Sequence, residues 1–184
     1  MKKRLKIYGL ILVGLVAASI LIQYDFAELS AIGWHFRHGF HAEVGGIRLK
    51  VPLPYEADDT AGLPSLMISK SPGRLSGPGG LIMVDYQKLP TQEQRDAAEA
   101  LLQKKGFQSG ITEARVGERA VSLAGRQGTC TEYNVTMAKL RIDSYEIDCQ
   151  FSGNVSAMLM GSPRLKNDFY DIIQSAQPLE AKTK

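Results

Sequence analysis

The sequence predicts an α+β domain, a mainly antiparallel β-sheet covered by helices, preceded by one N-terminal transmembrane helix. Three observations lead to this fold class. Segments with alternating apolar residues are joined by short turns, which is typical of antiparallel strands. Two helical patterns interrupt these segments, so the element order is strands, helix, strands, helix. One long uncharged run precedes all of them.

The uncharged run occupies residues 7–22 and follows a basic leader. The leader contains Lys2, Lys3, Arg4 and Lys6. As a helix the run would rise about 24 Å, and Gln23 and Tyr24 can extend it towards the roughly 30 Å hydrocarbon core of a bilayer. It lacks the small-residue pair of a cleavage site, so we favour an uncleaved signal anchor in residues 1–24 over a cleaved signal peptide.

The charge distribution predicts the compartment and excludes one class of partner. The chain has 22 basic and 19 acidic residues, and four of the basic ones lie in the leader, which leaves 18 against 19. A positive flank stays in the cytoplasm, so we expect the C-terminal domain to be extracytoplasmic, in a bacterial cell periplasmic. The body lacks the net basic charge of a nucleic-acid-binding domain, so no nucleic-acid partner is expected.

The two cysteines predict a disulfide. An exported protein with an even cysteine count usually pairs them. A hairpin that turns at Lys139 and Leu140 sets Cys130 directly opposite Cys149. The same register gives two further cross-strand pairs: Asn134 with Tyr145 and Thr136 with Asp143. The alternative, a redox or metal-binding thiol pair, has no CxxC motif and no neighbouring histidine to support it.

The first half of the domain is predicted to hold strands at 42–51, 65–71 and 81–86. The glycine-rich segment 73–80 predicts a hairpin loop; a phosphate-binding loop would need a following Lys-Ser/Thr pair and a helix. A helix is predicted over 91–105, with Thr91 as N-cap, Gln94 completing a capping box and Gly106 at its C-terminal end.

The second half predicts more strands and a closing helix. The strands are expected near 112–116, 119–127, 128–137, 140–151 and 155–161. Helical spacing of Leu165, Phe169, Ile172 and Ile173 predicts the last helix over 164–176. The globular domain is therefore assigned to 42–178, between a juxtamembrane segment at 25–41 and a polar tail at 179–184.

Several of these segments resemble one known family. The run from Gly46 to the Pro-Leu-Pro-Tyr turn at 52–55, the cysteine-bearing hairpin, the strand at 157–161 and the closing segment 169–176 are similar to PsbP/Mog1-like domains. The resemblance implies an α/β/α sandwich that serves as a non-enzymatic binding or assembly module, often tethered outside a membrane. The family has no fixed catalytic set, so no functional residue is carried over.

Residues 25–41 supply the most conspicuous polar side chains. His35, His38 and His41 form an H-x-x-H-x-x-H series, and imidazole is a common metal ligand. Aromatic and basic residues shortly after a membrane segment are, however, typical of the headgroup zone. We therefore expect no metal site and assign Trp34, His35, Arg37, His38 and His41 to the membrane interface, with pH sensing there as an alternative.

The remaining patterns favour a binding function over catalysis. The sequence has no G-x-S-x-G motif and no EF-hand spacing, and Ser162 between Gly161 and Pro163 fits a turn. We expect no catalytic residue and no cofactor. The predicted function is a membrane-tethered interaction or assembly domain, an accessory subunit of an envelope complex with a protein partner. The alternative is a carrier or sensor that binds a small apolar ligand between sheet and helix, lined by Met137, Met158 and Met160.

Overall fold

The computed structural model describes residues 12–16, 18–19, 26–58, 64–73, 77–86, 111–138 and 141–179. Residues 12–16 and 18–19 are helical. In this part of the chain no helix has both the length and the apolar character needed to cross a bilayer. The predicted helix at 91–105 and the predicted turn at 139–140 lie outside the described residues.

Besides the helical residues 12–16 and 18–19, the described residues form two α-helices, a short 3-10 helix and ten strands. The helices are α1 (Phe26–His38), the 3-10 helix (Pro163–Leu165) and α2 (Lys166–Gln174). The strands are β1 (His41–Val44), β2 (Ile47–Lys50), β3 (Glu56–Asp58), β4 (Ser65–Lys70), β5 (Gly80–Asp85), β6 (Ile111–Leu123), β7 (Arg126–Met137), β8 (Ile142–Phe151), β9 (Val155–Gly161) and β10 (Gln177–Pro178).

The strands form two sheets, with the orders β1-β2-β10 and β3-β4-β5-β9-β8-β7-β6. Every pairing between described strands is antiparallel. The predicted α+β class with a mainly antiparallel sheet is therefore confirmed. Strand β5 is followed in the sheet by β9, not by β6, so the chain crosses β9, β8 and β7 between β5 and β6.

The core lies on one face of the large sheet. Alternate residues of its central strands are fully buried there, as in Leu66 and Ile68 of β4, or Ala157 and Leu159 of β9. Helix α2 supplies the opposing layer with Phe169, Tyr170, Ile172 and Ile173. Each fully buried Leu, Ile or Phe contributes roughly 1.5–3 kcal/mol, so the α2 face is a main source of stability.

The region predicted as one strand at 42–51 is a hairpin, so that prediction is wrong. Gly45 and Gly46 form the turn between β1 and β2, with φ angles of 53° and 79°. Two adjacent positive φ angles suit a tight hairpin turn, for which Gly-Gly is a known signal. Gly45 is also required by packing, because a Cβ there would lie 2.3 Å from Cγ of Tyr86.

The strands predicted at 112–116 and 119–127 are one continuous strand, β6, with a bulge between Arg115 and Gly117. The turn that follows lies at Ala124 and Gly125, and both have positive φ. At the other end of the domain, Ser162 begins the 3-10 helix, and its hydroxyl accepts a hydrogen bond from the amide of Arg164. The predicted role of Ser162 as a turn and helix-start residue is confirmed.

Candidate functional site

Cys130 and Cys149 form the predicted disulfide. They are directly opposite each other on β7 and β8, in the register that the sequence predicts, and both are fully buried. The two other predicted cross-strand pairs, Asn134 with Tyr145 and Thr136 with Asp143, are also confirmed. The hydroxyl of Thr136 donates to the carboxylate of Asp143 at 2.9 Å. The bond lies inside the core, so it is a structural crosslink between neighbouring strands rather than an exposed redox pair.

The three histidines of the H-x-x-H-x-x-H series do not form one site. His35 and His38 lie on α1, whereas His41 begins β1. Within the described residues no group of three His, Cys, Asp or Glu side chains is arranged to hold a metal ion. The predicted roles of Arg37, His38 and His41 at a membrane interface stay predictions; all three side chains are exposed.

His35 differs from the expectation of an interfacial side chain, because it is only 7% exposed. Its Nδ1 lies 2.8 Å from the carbonyl oxygen of Gly39, and its Nε2 lies 2.9 Å from that of Tyr55. The ring also stacks on Phe40, with centroids 4.6 Å apart. An enclosed ring has no surface left for lipid headgroups, so His35 joins α1 to the Tyr55 segment instead.

Trp34 likewise faces the protein rather than open solvent. Its ring packs against the core and stacks on His38, with centroids 5.1 Å apart. On the same helix, the hydroxyl of Ser30 donates to the carboxylate of Glu56 in β3. Together with buried Ala31, these contacts hold one face of α1 on the domain. A segment predicted only as a juxtamembrane stretch is thus part of the folded unit.

The most highly connected polar group in the described chain is Glu132 of β7, which is 5% exposed. Its Oε1 accepts a hydrogen bond from the hydroxyl of Tyr170 at 2.9 Å. Its Oε2 accepts from the hydroxyl of Tyr145 at 2.5 Å and from Nζ of Lys166 at 2.7 Å. The guanidinium of Arg119 lies 4.6 Å from the centre of the Tyr170 ring. We call these five residues the Glu132 cluster.

The Glu132 cluster shifts the acidity of its members. Burial works against ionisation of Glu132, but the hydrogen bonds from Lys166, Tyr145 and Tyr170 outweigh it and hold the pKa of the carboxyl below its usual value. For both tyrosines, burial and then the hydrogen bond to the Glu132 carboxylate raise the pKa of the hydroxyl above its usual value. The carboxylate is therefore charged and the tyrosines are neutral at pH 7.

Both carboxylate oxygens of Glu132 are already occupied by internal donors, so the cluster joins elements rather than presenting a free acid or base. Tyr145 belongs to β8, whereas Lys166 and Tyr170 belong to α2. The cluster therefore attaches α2 to the sheet by charge-assisted hydrogen bonds. Sequence reasoning missed it, although a signal exists: Glu132 is two residues from Cys130 and so lies on the same, inward face of β7.

A cleft of about 440 Å³ runs beside α2 and the turn at 52–54. Its polar lining comes from Lys50, Tyr55, Asp168, Asp171 and Ser175. Three of these groups are engaged internally: the hydroxyl of Tyr55 donates to the carboxylate of Asp168 at 2.9 Å, and the hydroxyl of Ser175 accepts from the backbone amide of Lys50. The rest of the polar lining is the exposed side chains of Lys50 and Asp171.

Two of the three methionines, Met158 and Met160, do not lie between the large sheet and α2. In β9, Ala157 and Leu159 face the core, so Met158 and Met160 point to the opposite side of the sheet from α2. Met160 is opposite Leu81, and Met158 is opposite Met83. The layer between sheet and α2 is filled by fully buried side chains instead, and nothing in it favours the predicted apolar-ligand site.

The most open part of the large sheet is its β6 edge. Residues 111–116 and 118–120 of β6 are exposed on both faces of the strand. The pairing of β9 with β8 covers only residues 145–151, so the ends of β6, β7 and β8 extend beyond β9. We call the exposed stretch 111–116 of β6, together with the neighbouring residues 133–137 and 142–144, the β6 arm. It exposes three large apolar side chains: Ile111, Val116 and Ile142.

No family model matches the sequence, and no curated protein matches it. Among solved structures, the chain is similar to the solution structure of cyanobacterial PsbP (CyanoP) from Synechocystis sp. PCC 6803. The TM-score is 0.41 and the sequence identity 10%, over 72% of this chain and 86% of that chain. The PsbP-like resemblance predicted from the sequence is confirmed at this level, as a weak likeness of fold.

Proposed function

We propose that the chain is a membrane-tethered, extracytoplasmic interaction domain, a non-enzymatic accessory subunit that binds a protein partner in the cell envelope. The observation that carries the proposal is the β6 arm, an open sheet edge on a domain whose buried polar cluster is internally satisfied. The basic leader and the uncharged run at 7–22 support the tether. The buried disulfide supports an oxidising compartment outside the cytoplasm.

An open strand edge binds proteins through its backbone. In an antiparallel ladder, half of the N–H and C=O groups of an edge strand point away from its neighbour. Among the described strands, β6 pairs only with β7, so its outer row of backbone groups has no strand partner in the described part of the chain and can accept a further strand. An extended segment of a partner would gain main-chain hydrogen bonds there and side-chain contacts on both faces.

The side chains of β6 make this edge selective. Val116 is 50% exposed and provides an apolar contact close to the bulge. Glu113, Arg115, Glu118 and Arg119 surround it with alternating charge. Arg115 and Glu118 pair with each other at the surface, where an ion pair contributes little to stability. Charges in such positions discourage unspecific edge pairing and favour a partner of matching pattern.

The proposal is tested by site-specific photocrosslinking in intact cells with the full chain. A benzophenone amino acid replaces Val116 on the β6 arm or, as a matched exposed control, Gln174 on α2. We expect a discrete crosslinked protein from position 116 and none from position 174. The additional substitution Ile111→Lys in the position-116 variant should abolish that product. Because Ile111 is exposed, the domain should stay folded. Equal products from both positions, or none from the arm, would contradict the proposed binding edge.

A further inference from the structure

Helix α1 carries a second apolar face, which points away from the domain. Leu29, Ile32 and Phe36 are 49%, 52% and 93% exposed. Their i, i+3, i+7 spacing places them within an arc of about 60° on the helix surface. Phe40, just beyond the helix end, is also exposed. An apolar stripe in solvent on a small domain indicates a surface that something covers.

Helix α1 cannot rotate so that this stripe packs against the rest of the domain. The opposite face of α1 is held by buried Ala31, by the two carbonyl contacts of His35 and by the hydrogen bond from Ser30 to Glu56. Turning Phe36 inward would break these contacts and leave the carbonyl groups of Gly39 and Tyr55 without their buried partner. The stripe is therefore presented outward in a fixed direction.

The position of α1 in the chain indicates what covers its apolar stripe. Only residues 23–25 separate the end of the uncharged run from Phe26, the first residue of α1. A step of four residues spans at most about 14 Å even when fully extended. If the run crosses a bilayer, α1 must therefore begin at the bilayer surface. A helix with an exposed apolar stripe in that location is arranged like an interfacial amphipathic helix.

The residues beside the stripe also suit contact with a lipid surface. Arg37 lies next to Phe36 on the helix surface, and it is exposed. Its stem can follow the apolar stripe while its guanidinium reaches a phosphate, as basic side chains do at membrane surfaces. His38 and His41 are exposed at the same end of the helix. A lipid surface with anionic headgroups thus matches both the apolar stripe and its polar border.

We propose that α1 lies in the membrane interface, with Leu29, Ile32 and Phe36 among the lipid acyl chains, and that it holds the domain in one orientation on the membrane. The inference rests on the proposed tether. In this inference, Leu29, Ile32 and Phe36 contact lipid instead of Trp34 and His35, which face the protein. With His35 joining α1 to the Tyr55 segment, the domain is attached rigidly to the surface and does not hang from a flexible linker.

The test uses the full chain reconstituted in vesicles of phosphatidylethanolamine and phosphatidylglycerol. Phe36→Cys, Leu29→Cys and, as control, Val116→Cys are labelled with the environment-sensitive dye NBD; the native cysteines are buried in their disulfide. We expect blue-shifted emission at positions 29 and 36. Lipids carrying a shallow nitroxide should lower that emission about twofold or more, because interfacial helices lie near the acyl boundary. Position 116 should behave as in water.

Each of the other outcomes would contradict either the proposed tether or the proposed interfacial role of α1. Failure of the chain to float with the vesicles would overturn the proposed tether itself. Flotation with water-like emission at positions 29 and 36 would overturn only the interfacial role of α1. A blue shift that nitroxide lipids do not quench, and that weakens when the protein is diluted in the vesicles, would mean that a second copy covers the stripe. That result would also contradict the inference.

Discussion

At the scale of single residues, Glu132 connects more elements than any other polar group described. A buried carboxylate is costly unless it is paired and hydrogen-bonded. Glu132 meets this condition because Tyr145, Tyr170 and Lys166 together occupy both of its oxygens. Such a group stabilises the native state only while all partners are present, since removing one leaves buried polar atoms unpaired.

Replacing Glu132 should therefore destabilise the domain strongly. We expect Glu132→Gln to lower the free energy of unfolding by about 2–4 kcal/mol, because the amide cannot accept from all three donors. Urea denaturation at pH 7 measures the loss. The matched control is Glu118→Gln, whose ion pair with Arg115 is exposed, and its effect should stay below about 1 kcal/mol. Equal losses in the two variants would contradict the role of the cluster.

The lowered pKa of Glu132 also predicts a dependence on pH. A carboxyl whose pKa is lower in the folded state stabilises the fold above its unfolded pKa, about 4.3 for Glu, and that stability is lost as the pH falls through the folded value. Wild-type protein should thus lose stability below about pH 4. The free energy of unfolding of Glu132→Gln should fall less over the same range. Parallel pH profiles would contradict this assignment.

Gly45 allows the effects of backbone strain and packing to be separated. Gly45 and Gly46 both have positive φ, but only a Cβ at Gly45 would collide with Tyr86. Gly46→Ala should cost about 1 kcal/mol for strain alone, whereas Gly45→Ala should cost about 1–3 kcal/mol more for overpacking. Thermal or urea unfolding of the two variants measures the difference. An equal cost would show that Tyr86 moves aside freely.

At the scale of elements, the sequence was most informative where a pattern was local and repeated. The β7–β8 register followed from the position of one turn and was confirmed by the Cys130–Cys149 pair. Alternation along β7 also predicts that Glu132 faces inward, yet a charged side chain is not an obvious core residue. Its partners Lys166 and Tyr170 lie on α2, and long-range contacts of this kind leave no local signal.

Two other elements could not be assigned for different reasons. The alternation of Ile47, Leu49 and Val51 predicts a continuous strand at 42–51, but it covers only the second half of that range, and the Gly45-Gly46 turn lies before it. Helix α1 was missed because its two faces are both apolar: Ala31 and Trp34 face the protein, while Leu29 and Phe36 face outward. A helix that is apolar on both sides lacks the single polar face on which the pattern depends.

The disulfide stabilises the β7–β8 hairpin by limiting the unfolded chain. Replacing both cysteines, Cys130→Ala with Cys149→Ala, should cost about 3 kcal/mol in the chain-entropy model for a loop of this length. A loss of this size lowers the melting temperature of a domain of this size by about 6–12 °C. Wild-type protein melted in a reducing agent should show a similar decrease. A melting temperature unaffected by either treatment would contradict the stabilising role.

His35 should control the attachment of α1. We expect His35→Ala to remove both ring contacts with carbonyl groups and to leave at least one buried carbonyl without its hydrogen-bond donor, at a cost of about 1–3 kcal/mol. Amide hydrogen exchange should accelerate about tenfold or more along α1, since 1.4 kcal/mol corresponds to a factor of ten. Exchange in β8 and β9 should not change. His38→Ala, at an exposed ring, is the control; the same acceleration in both variants would contradict the specific role of His35.

At the scale of the whole molecule, the proposed function assigns different purposes to three parts of the domain. The disulfide-bonded core and the Glu132 cluster hold the domain together; we propose that the outward face of α1 sets its position on the lipid surface and that the β6 arm binds a partner. A rigid attachment reduces the entropy that a partner must overcome when it binds at the membrane.

The location of the domain is the claim on which these roles depend, and reporter fusions at Lys184 test it most directly. One fusion carries alkaline phosphatase, which becomes active only where disulfides form. The other carries green fluorescent protein, which fluoresces in the cytoplasm but stays dark when this export route carries it across the membrane. The proposed topology predicts an active phosphatase fusion and a dark fluorescent fusion, both in the membrane fraction. An inactive phosphatase with a bright fluorescent fusion would place the domain in the cytoplasm and contradict the proposed tether, compartment and partner together.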